Sequence, residues 1–126
     1  VAPRIRQCRS DPATATVSDI ETFADIDLPG AEPDGSVVDC EGALWNAQWG
    51  AGRVVRYRPD GRMDRIVRVP APQVSCCTLR GDTLYASSAR VGLDAETLAA
   101  HPLSGGVFAH RLERTLARGE DRVRLP

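Results

Sequence analysis

Hydrophobic and polar positions alternate along this chain in short runs separated by turn residues. The runs at 4–9, 20–26, 36–40, 43–49, 53–58, 63–69, 73–79, 83–88 and 106–111 predict nine short strands, and hence a mainly antiparallel sheet protein. Between them lie Asp11-Pro12, Cys40-Glu41-Gly42, Trp49-Gly50-Ala51-Gly52, Pro59-Asp60-Gly61 and Arg80-Gly81-Asp82. Each of these can reverse the chain within a few residues. The alternation breaks once, at 90–102, which reads as a loop followed by a two-turn helix. There Asp94 is a natural N-cap, Leu93 and Leu98 hold the two positions of a hydrophobic staple, and Pro102 stops the helix. After Arg111 the pattern weakens: 112–118 reads as a short amphipathic turn and 119–126 as charged and irregular, an end expected to be poorly ordered.

A repeat is superimposed on the strands. Gly42-Ala43-Leu44-Trp45-Asn46-Ala47 is echoed by Gly81-Asp82-Thr83-Leu84-Tyr85-Ala86, with the Leu-aromatic pair returning forty positions later. That period is the size of a propeller blade, a four-stranded sheet repeated around an axis. The expected fold is therefore all-β: a partial β-propeller of about two and a half blades, with one short helical insertion. The strand at 36–40 would be innermost in the one complete blade, the two strands before it the outer half of a preceding blade, and the three after Pro72 a last blade without its outermost strand.

Composition narrows the function classes. The 126 residues are 42% hydrophobic and 26% charged, an ordinary globular balance. All sixteen positive charges are Arg, and seventeen acids bring the net charge to −1, so the strongly basic balance of a nucleic-acid binder is absent. The run Arg53, Arg56, Arg58, Arg62, Arg65 and Arg68 is interleaved with Asp60 and Asp64 and is expected to form a solvated face. No apolar stretch approaches the ~20 residues that cross a bilayer, and the chain reads as cytoplasmic, without membrane or nucleic-acid partners. Cys8, Cys40, Cys76 and Cys77 show no zinc or redox spacing and are expected to be small buried hydrophobes, with the adjacent pair pointing to opposite sides of a strand. His101 and His110 are isolated from any ligand spacing and are expected at the surface. A Val at position 1 and only 5% aromatics point to a portion of a longer protein.

Several motifs agree in order and spacing with one family. Pro33-Asp34-Gly35-Ser36, Asp39-Cys40-Glu41-Gly42-Ala43-Leu44-Trp45, Gly52-Arg53-Val54-Val55-Arg56-Tyr57, Pro59-Asp60-Gly61, Ser75-Cys76-Cys77, Leu84-Tyr85-Ala86-Ser87-Ser88-Ala89-Arg90 and Pro102-Leu103-Ser104-Gly105-Gly106-Val107-Phe108 together resemble the SMP-30/gluconolactonase/LRE family. The resemblance is firm from Pro33 to Phe108 and looser over the first thirty residues. It implies a six-bladed β-propeller lactonase that holds one divalent cation, Ca²⁺, Zn²⁺, Mn²⁺ or Mg²⁺, at its central channel and opens a sugar lactone. Residues 1–111 are then the C-terminal part of the propeller and 112–126 an irregular tail.

In that family the cation is held by a Glu near the N-terminus, an Asn in the middle and an Asp within Pro-Asp-Gly. Of these three only the Asp has a counterpart here, Asp34, which the resemblance makes both metal ligand and catalytic base. A hard cation takes oxygen ligands, and a bound water made acidic by it can lose its proton to a touching carboxylate. Taken alone, however, Pro-Asp-Gly is a turn tripeptide, and Pro59-Asp60-Gly61 is best explained as one. Asp39 and Glu41 are expected to serve a turn and solvent. Trp45, Trp49, Tyr57 and Tyr85 are expected in packing between blades, and Asn46-Gln48 or Trp45-Trp49 as the pair facing the channel. A calcium-type ion needs about six to eight oxygens, so the isolated chain is expected to be nearly inactive. The competing reading is a non-catalytic propeller fragment or binding module, and open blade faces would favour self-association.

Overall fold

Each predicted alternating run becomes a strand, in the expected order, and the helix falls between the last two strands. The structure is a computed structural model that describes residues 3–118. Strands β1 (Arg4–Asp11) and β2 (Thr16–Asp25) form an antiparallel hairpin. A four-stranded meander follows, made of β3 (Glu32–Val38), β4 (Leu44–Trp49), β5 (Arg53–Tyr57) and β6 (Met63–Arg68). The last sheet is β7 (Val74–Arg80), β8 (Thr83–Ser88) and β9 (Val107–Arg111), with helix α1 (Ala95–Ala100) inserted before β9. Every pairing joins strands adjacent in sequence, and β3 and β7, the first strands of their meanders, lie against each other. This is a partial β-propeller: a two-stranded sheet, one four-stranded blade, and three strands of the next.

Two strands begin earlier than the alternation predicts, β2 at Thr16 and β3 at Glu32. Pro33-Asp34-Gly35 is strand rather than turn, which Pro tolerates because β3 is the edge of its sheet. In β5 every residue is buried, and successive side chains go to opposite sides. Val54 and Val55 are both fully buried but belong to different clusters. Val54 packs with Trp45, Ala47, Val74 and Leu84 toward the last blade, and Val55 with Tyr57, Ala24 and Phe23 toward the hairpin. A strand inside a blade sends successive side chains to opposite neighbours, so both faces must be apolar. Each such side chain fully buried contributes roughly 1.5–3 kcal/mol.

The turns are closed by their own side chains. Asp11 accepts from Ala13 N at 2.9 Å and from the Thr14 hydroxyl at 2.9 Å. Gly61 tops the Pro59-Asp60-Gly61 turn at φ +80°, and a Cβ there would sit 2.0 Å from the Phe23 carbonyl oxygen. Only glycine lets this turn rest on the hairpin. Asp94 caps α1 by accepting from Thr97 N at 2.8 Å, and no residue of the helix is buried, as expected of a surface insertion.

Residues 112–118 have no regular structure, yet Leu112 and Leu116 join the main core. Leu116 also accepts from Cys40 N at 2.9 Å, tying this segment to the β3–β4 turn. The charged end at 119–126, expected to be poorly ordered, lies outside the described residues. Among the described residues no helix is long and apolar enough to cross a membrane.

Candidate active site on the axis-lining strand

The chain contains Pro-Asp-Gly twice, and the two copies do different things. At 59–61 it is a hairpin turn: Gly61 N donates to Arg58 O at 2.8 Å, and the Asp60 carboxylate accepts from Arg62 N at 3.1 Å. At 33–35 it lies within β3, in an irregularity of the β3–β4 register between Pro33 and Ser36. Pro33 opposes Gln48 and Ser36 opposes Asn46, so β3 carries one extra residue, a β-bulge. Asp34 is exposed there, and its carboxylate has no hydrogen bond or ion pair among the described residues. Bulges re-aim side chains, and this one presents an unused carboxylate on β3, the first strand of its sheet, which lies against β7.

The bulge backbone is gripped from both sides. From β4, Asn46 Nδ2 donates to the Asp34 carbonyl and to Ser36 Oγ, each at 2.9 Å. From β7, the Cys77 thiol has one proton to give and lies between two acceptors, the Trp45 carbonyl at 3.4 Å and the Gly35 carbonyl at 3.7 Å. Burial, with Cys76 beside it, pushes the Cys77 thiol up to about 12, so it stays protonated and able to donate. Gly35 explains how close the strands come. A Cβ on it would lie 2.7 Å from Cys76 Sγ, 2.8 Å from Cys76 Cα and 2.8 Å from Ser75 O, and backbone cannot move aside as a side chain can.

The remaining expectations divide. Trp45 and Tyr57 are packed in the core, as expected, and the adjacent cysteines do point apart. Only Cys77 is buried, however, while Cys8, Cys40 and Cys76 are exposed. His101 and His110 are both exposed. Asn46 and Gln48 do not line a channel: both are buried inside the blade, and Gln48 bridges Arg53 Nε at 2.6 Å and the Tyr57 hydroxyl at 2.9 Å. Arg53 and Arg56 are not solvated, since 3% and 6% of their surface is exposed. The reason is the two-sided burial of β5, from which each guanidinium reaches an acid: Arg53 pairs with Asp27 at the surface, and Arg56 with the buried Asp39 and with Glu41 and Asp64.

Asp39 is likewise not a solvent contact. It forms the turn, accepting from Glu41 N at 2.9 Å and Ala43 N at 3.0 Å, but it is fully buried and also accepts from the Trp45 indole at 2.9 Å and Arg56 Nε at 2.8 Å. Burial alone would raise its carboxyl, but the donors from Trp45, Arg56, Ala43 and Glu41 outweigh that and hold it below the ordinary value of 3.8. Arg56 and Arg58 lower Asp64 in the same way. Both acids therefore ionise more readily folded than unfolded. The stability they contribute is complete above the ordinary carboxylate value of 3.8 and is lost as pH falls from there through their depressed folded values. The urea midpoint should be level from about pH 7 to 5 and drop below about pH 4, with a shallower drop in Asp64→Asn. A midpoint as high at pH 3 as at pH 6 would contradict this.

The sites give a class before they give a family. A partial propeller that displays an unpaired carboxylate on a bulge offers a hard-oxygen donor of the kind that cations take. Residues 1–90 match the SMP-30/Gluconolactonase/LRE-like region, and the chain belongs to that family. It is 53% identical over 93 residues to L-arabinolactonase of Azospirillum brasilense, covering 73% of this chain and 31% of that protein. It is 41% identical over 86 residues to 6-deoxy-6-sulfogluconolactonase of Pseudomonas putida, covering 66% and 30%. Its fold superposes on the calcium-binding protein regucalcin of Agrobacterium tumefaciens with a TM-score of 0.81 at 35% identity, covering 98% of this chain and 43% of that one. The chain thus spans about a third of the length of these curated relatives. Among the described residues no group of three or more His, Cys, Asp or Glu side chains is placed to hold a metal ion. The Asp34 carboxylate is in kind a free hard-oxygen donor.

Proposed function

We propose that this chain is the C-terminal portion of a six-bladed, divalent-metal-dependent sugar lactonase that hydrolyses gluconolactone-like aldonolactones, and that Asp34 is its metal ligand and general base. The observation that carries the reading is the contrast between the two Pro-Asp-Gly copies: Asp60 is used by its turn, while the Asp34 carboxylate has no structural partner and is displayed by a bulge. The lactonase relatives supply the substrate class.

A bound divalent cation supplies Lewis acidity toward the lactone carbonyl and acidity to a bound water. Asp34 offers one carboxylate oxygen as ligand and takes the proton of the attacking water on its carboxylate. As the water oxygen bonds to the carbonyl carbon, the ring ester C–O bond breaks and the ring oxygen leaves as a hydroxyl, taking up a proton. The product is the open aldonic acid, and its release of a proton to solvent makes the reaction visible as acidification.

The test compares this chain alone with the same chain joined to the blades proposed to precede it. Lactone opening is followed with a pH indicator under Ca²⁺, Mn²⁺, Zn²⁺ or Mg²⁺. The joined protein should hydrolyse one or more five- or six-carbon aldonolactones only with cation, and the chain alone should not rise above the uncatalysed rate. Absence of cation-dependent hydrolysis in the joined protein would favour the non-catalytic propeller module instead.

A further inference from the structure

Asn46 is an anomaly of β4. It is 1% exposed, in a strand otherwise occupied by packing residues and the Gln48 bridge, and its Oδ1 is buried without a partner among the described residues. A buried acceptor left unpaired costs about 1–3 kcal/mol, so an apolar side chain of the same size would serve packing better. What the amide does make is specific. Both of its hydrogen bonds go to the bulge, one to the Asp34 carbonyl and one to Ser36 Oγ, while Ser36 Oγ itself donates to the Asp34 carbonyl at 3.3 Å.

These bonds fall where the ladder fails. Between the Pro33–Gln48 and Ser36–Asn46 pairs the extra residue on β3 interrupts the backbone bonding that would otherwise fix the peptide planes. Pro33 has no N–H to contribute, and the Asp34 peptide would be free to rotate. Its carbonyl is held instead by a side chain rooted in the middle of the blade. The next carbonyl, that of Gly35, faces the Cys77 thiol of β7 at 3.7 Å, so the amide of Asn46 is the stronger hold on the bulge.

We infer that Asn46 is a positioning residue: its amide fixes the bulge so that the Asp34 carboxylate is held ready for the cation, an inference that rests on the reading of Asp34 as a ligand. Groups that orient a ligand commonly carry 10–100-fold of metal affinity. Gln48 provides the control, because it is on the same strand, buried and doubly hydrogen-bonded, but touches neither Asp34 nor Ser36.

The experiment titrates Ca²⁺ by calorimetry into the joined protein carrying Asn46→Leu, Gln48→Leu, Asp34→Ala or Asp34→Ala with Asn46→Leu, alongside melting curves without cation. Asn46→Leu should weaken Ca²⁺ binding about 10–100-fold, Gln48→Leu should leave it within about twofold despite a lower melting temperature, and the double variant should bind no more weakly than Asp34→Ala alone. Should Asn46→Leu fail to fold, Asn46→Ala removes the donor without adding charge beside Asp34 and carries the same comparison. An Asn46 variant that binds Ca²⁺ like wild type while Asp34→Ala does not overturns the role of Asn46 alone. Wild-type affinity in Asp34→Ala overturns the Asp34 reading and this inference with it.

Discussion

Asp34→Asn in the joined protein is expected to lower kcat for aldonolactone hydrolysis by about 10²–10⁴-fold while leaving the melting temperature nearly unchanged. The two halves of that result come from one fact. The Asp34 carboxylate is exposed and bonds to nothing described, so its replacement by an amide of equal shape removes no structural contact. The fold is held through the Asp34 backbone, which the amide variant keeps. The catalytic half follows because an amide neither takes a proton from water nor balances the charge of a cation. Asp60→Asn is the internal comparison. That carboxylate caps the hairpin turn through Arg62 N, so its loss should cost a little stability and no activity. Equal rates for Asp34→Asn and wild type would remove Asp34 from the chemistry, and a large fall in melting temperature would make its role structural.

Much of the fold was legible because a propeller blade repeats its signals. Leu44-Trp45 and Leu84-Tyr85 mark equivalent second strands, and the glycine turns between runs sit where the alternation stops. The helix was legible from Asp94, whose capping role needs only local sequence. What could not be read was what depends on neighbours distant in sequence. Nothing local distinguishes Pro33-Asp34-Gly35 from Pro59-Asp60-Gly61; the difference arises because β3 pairs with β4 and lies on β7, where Gly35 meets Ser75 and Cys76. The arginines of β5 looked solvated because they open an Arg run interleaved with Asp60 and Asp64, yet that strand is buried on both faces, and Arg56 pairs there with the fully buried Asp39 while Arg53 reaches the half-exposed Asp27. The signal that could have exposed this is Val54-Val55, two adjacent apolar residues in a strand, which an exposed face would not require. Asn46 carried a comparable signal as an amide set between Trp45 and Ala47 on an otherwise packed strand.

The burial of Arg56 sets up the largest stability effect expected in the molecule. Its guanidinium is 8% exposed, lies 5.8 Å over the Trp45 ring, and bonds Asp39, Glu41 and Asp64 at 2.8, 2.6 and 2.5 Å. Asp39, at 0% exposure, has no cation partner other than Arg56 among the described residues. Arg56→Met fills similar space but leaves that carboxylate charged and buried, and breaking such a pair from one side costs about 3–5 kcal/mol. Asp39→Asn should cost less: its amide nitrogen would face the Trp45 and Arg56 donors, but the amide oxygen still accepts from Glu41 N and Ala43 N, Arg56 keeps Glu41 and Asp64, and no buried charge is stranded. The two changes together should therefore cost less than the sum of the two alone, because the second removes the charge that the first strands. Urea denaturation of the four proteins at pH 7 reads each term. A loss below about 1 kcal/mol for Arg56→Met would place the pair with exposed ion pairs, whose removal is nearly neutral. Simple additivity would mean that Arg56 acts through Trp45, Glu41 and Asp64 rather than through Asp39. The predicted non-additivity instead makes Asp39 and Arg56 one unit, closing the end of β3 opposite the bulge that carries Asp34.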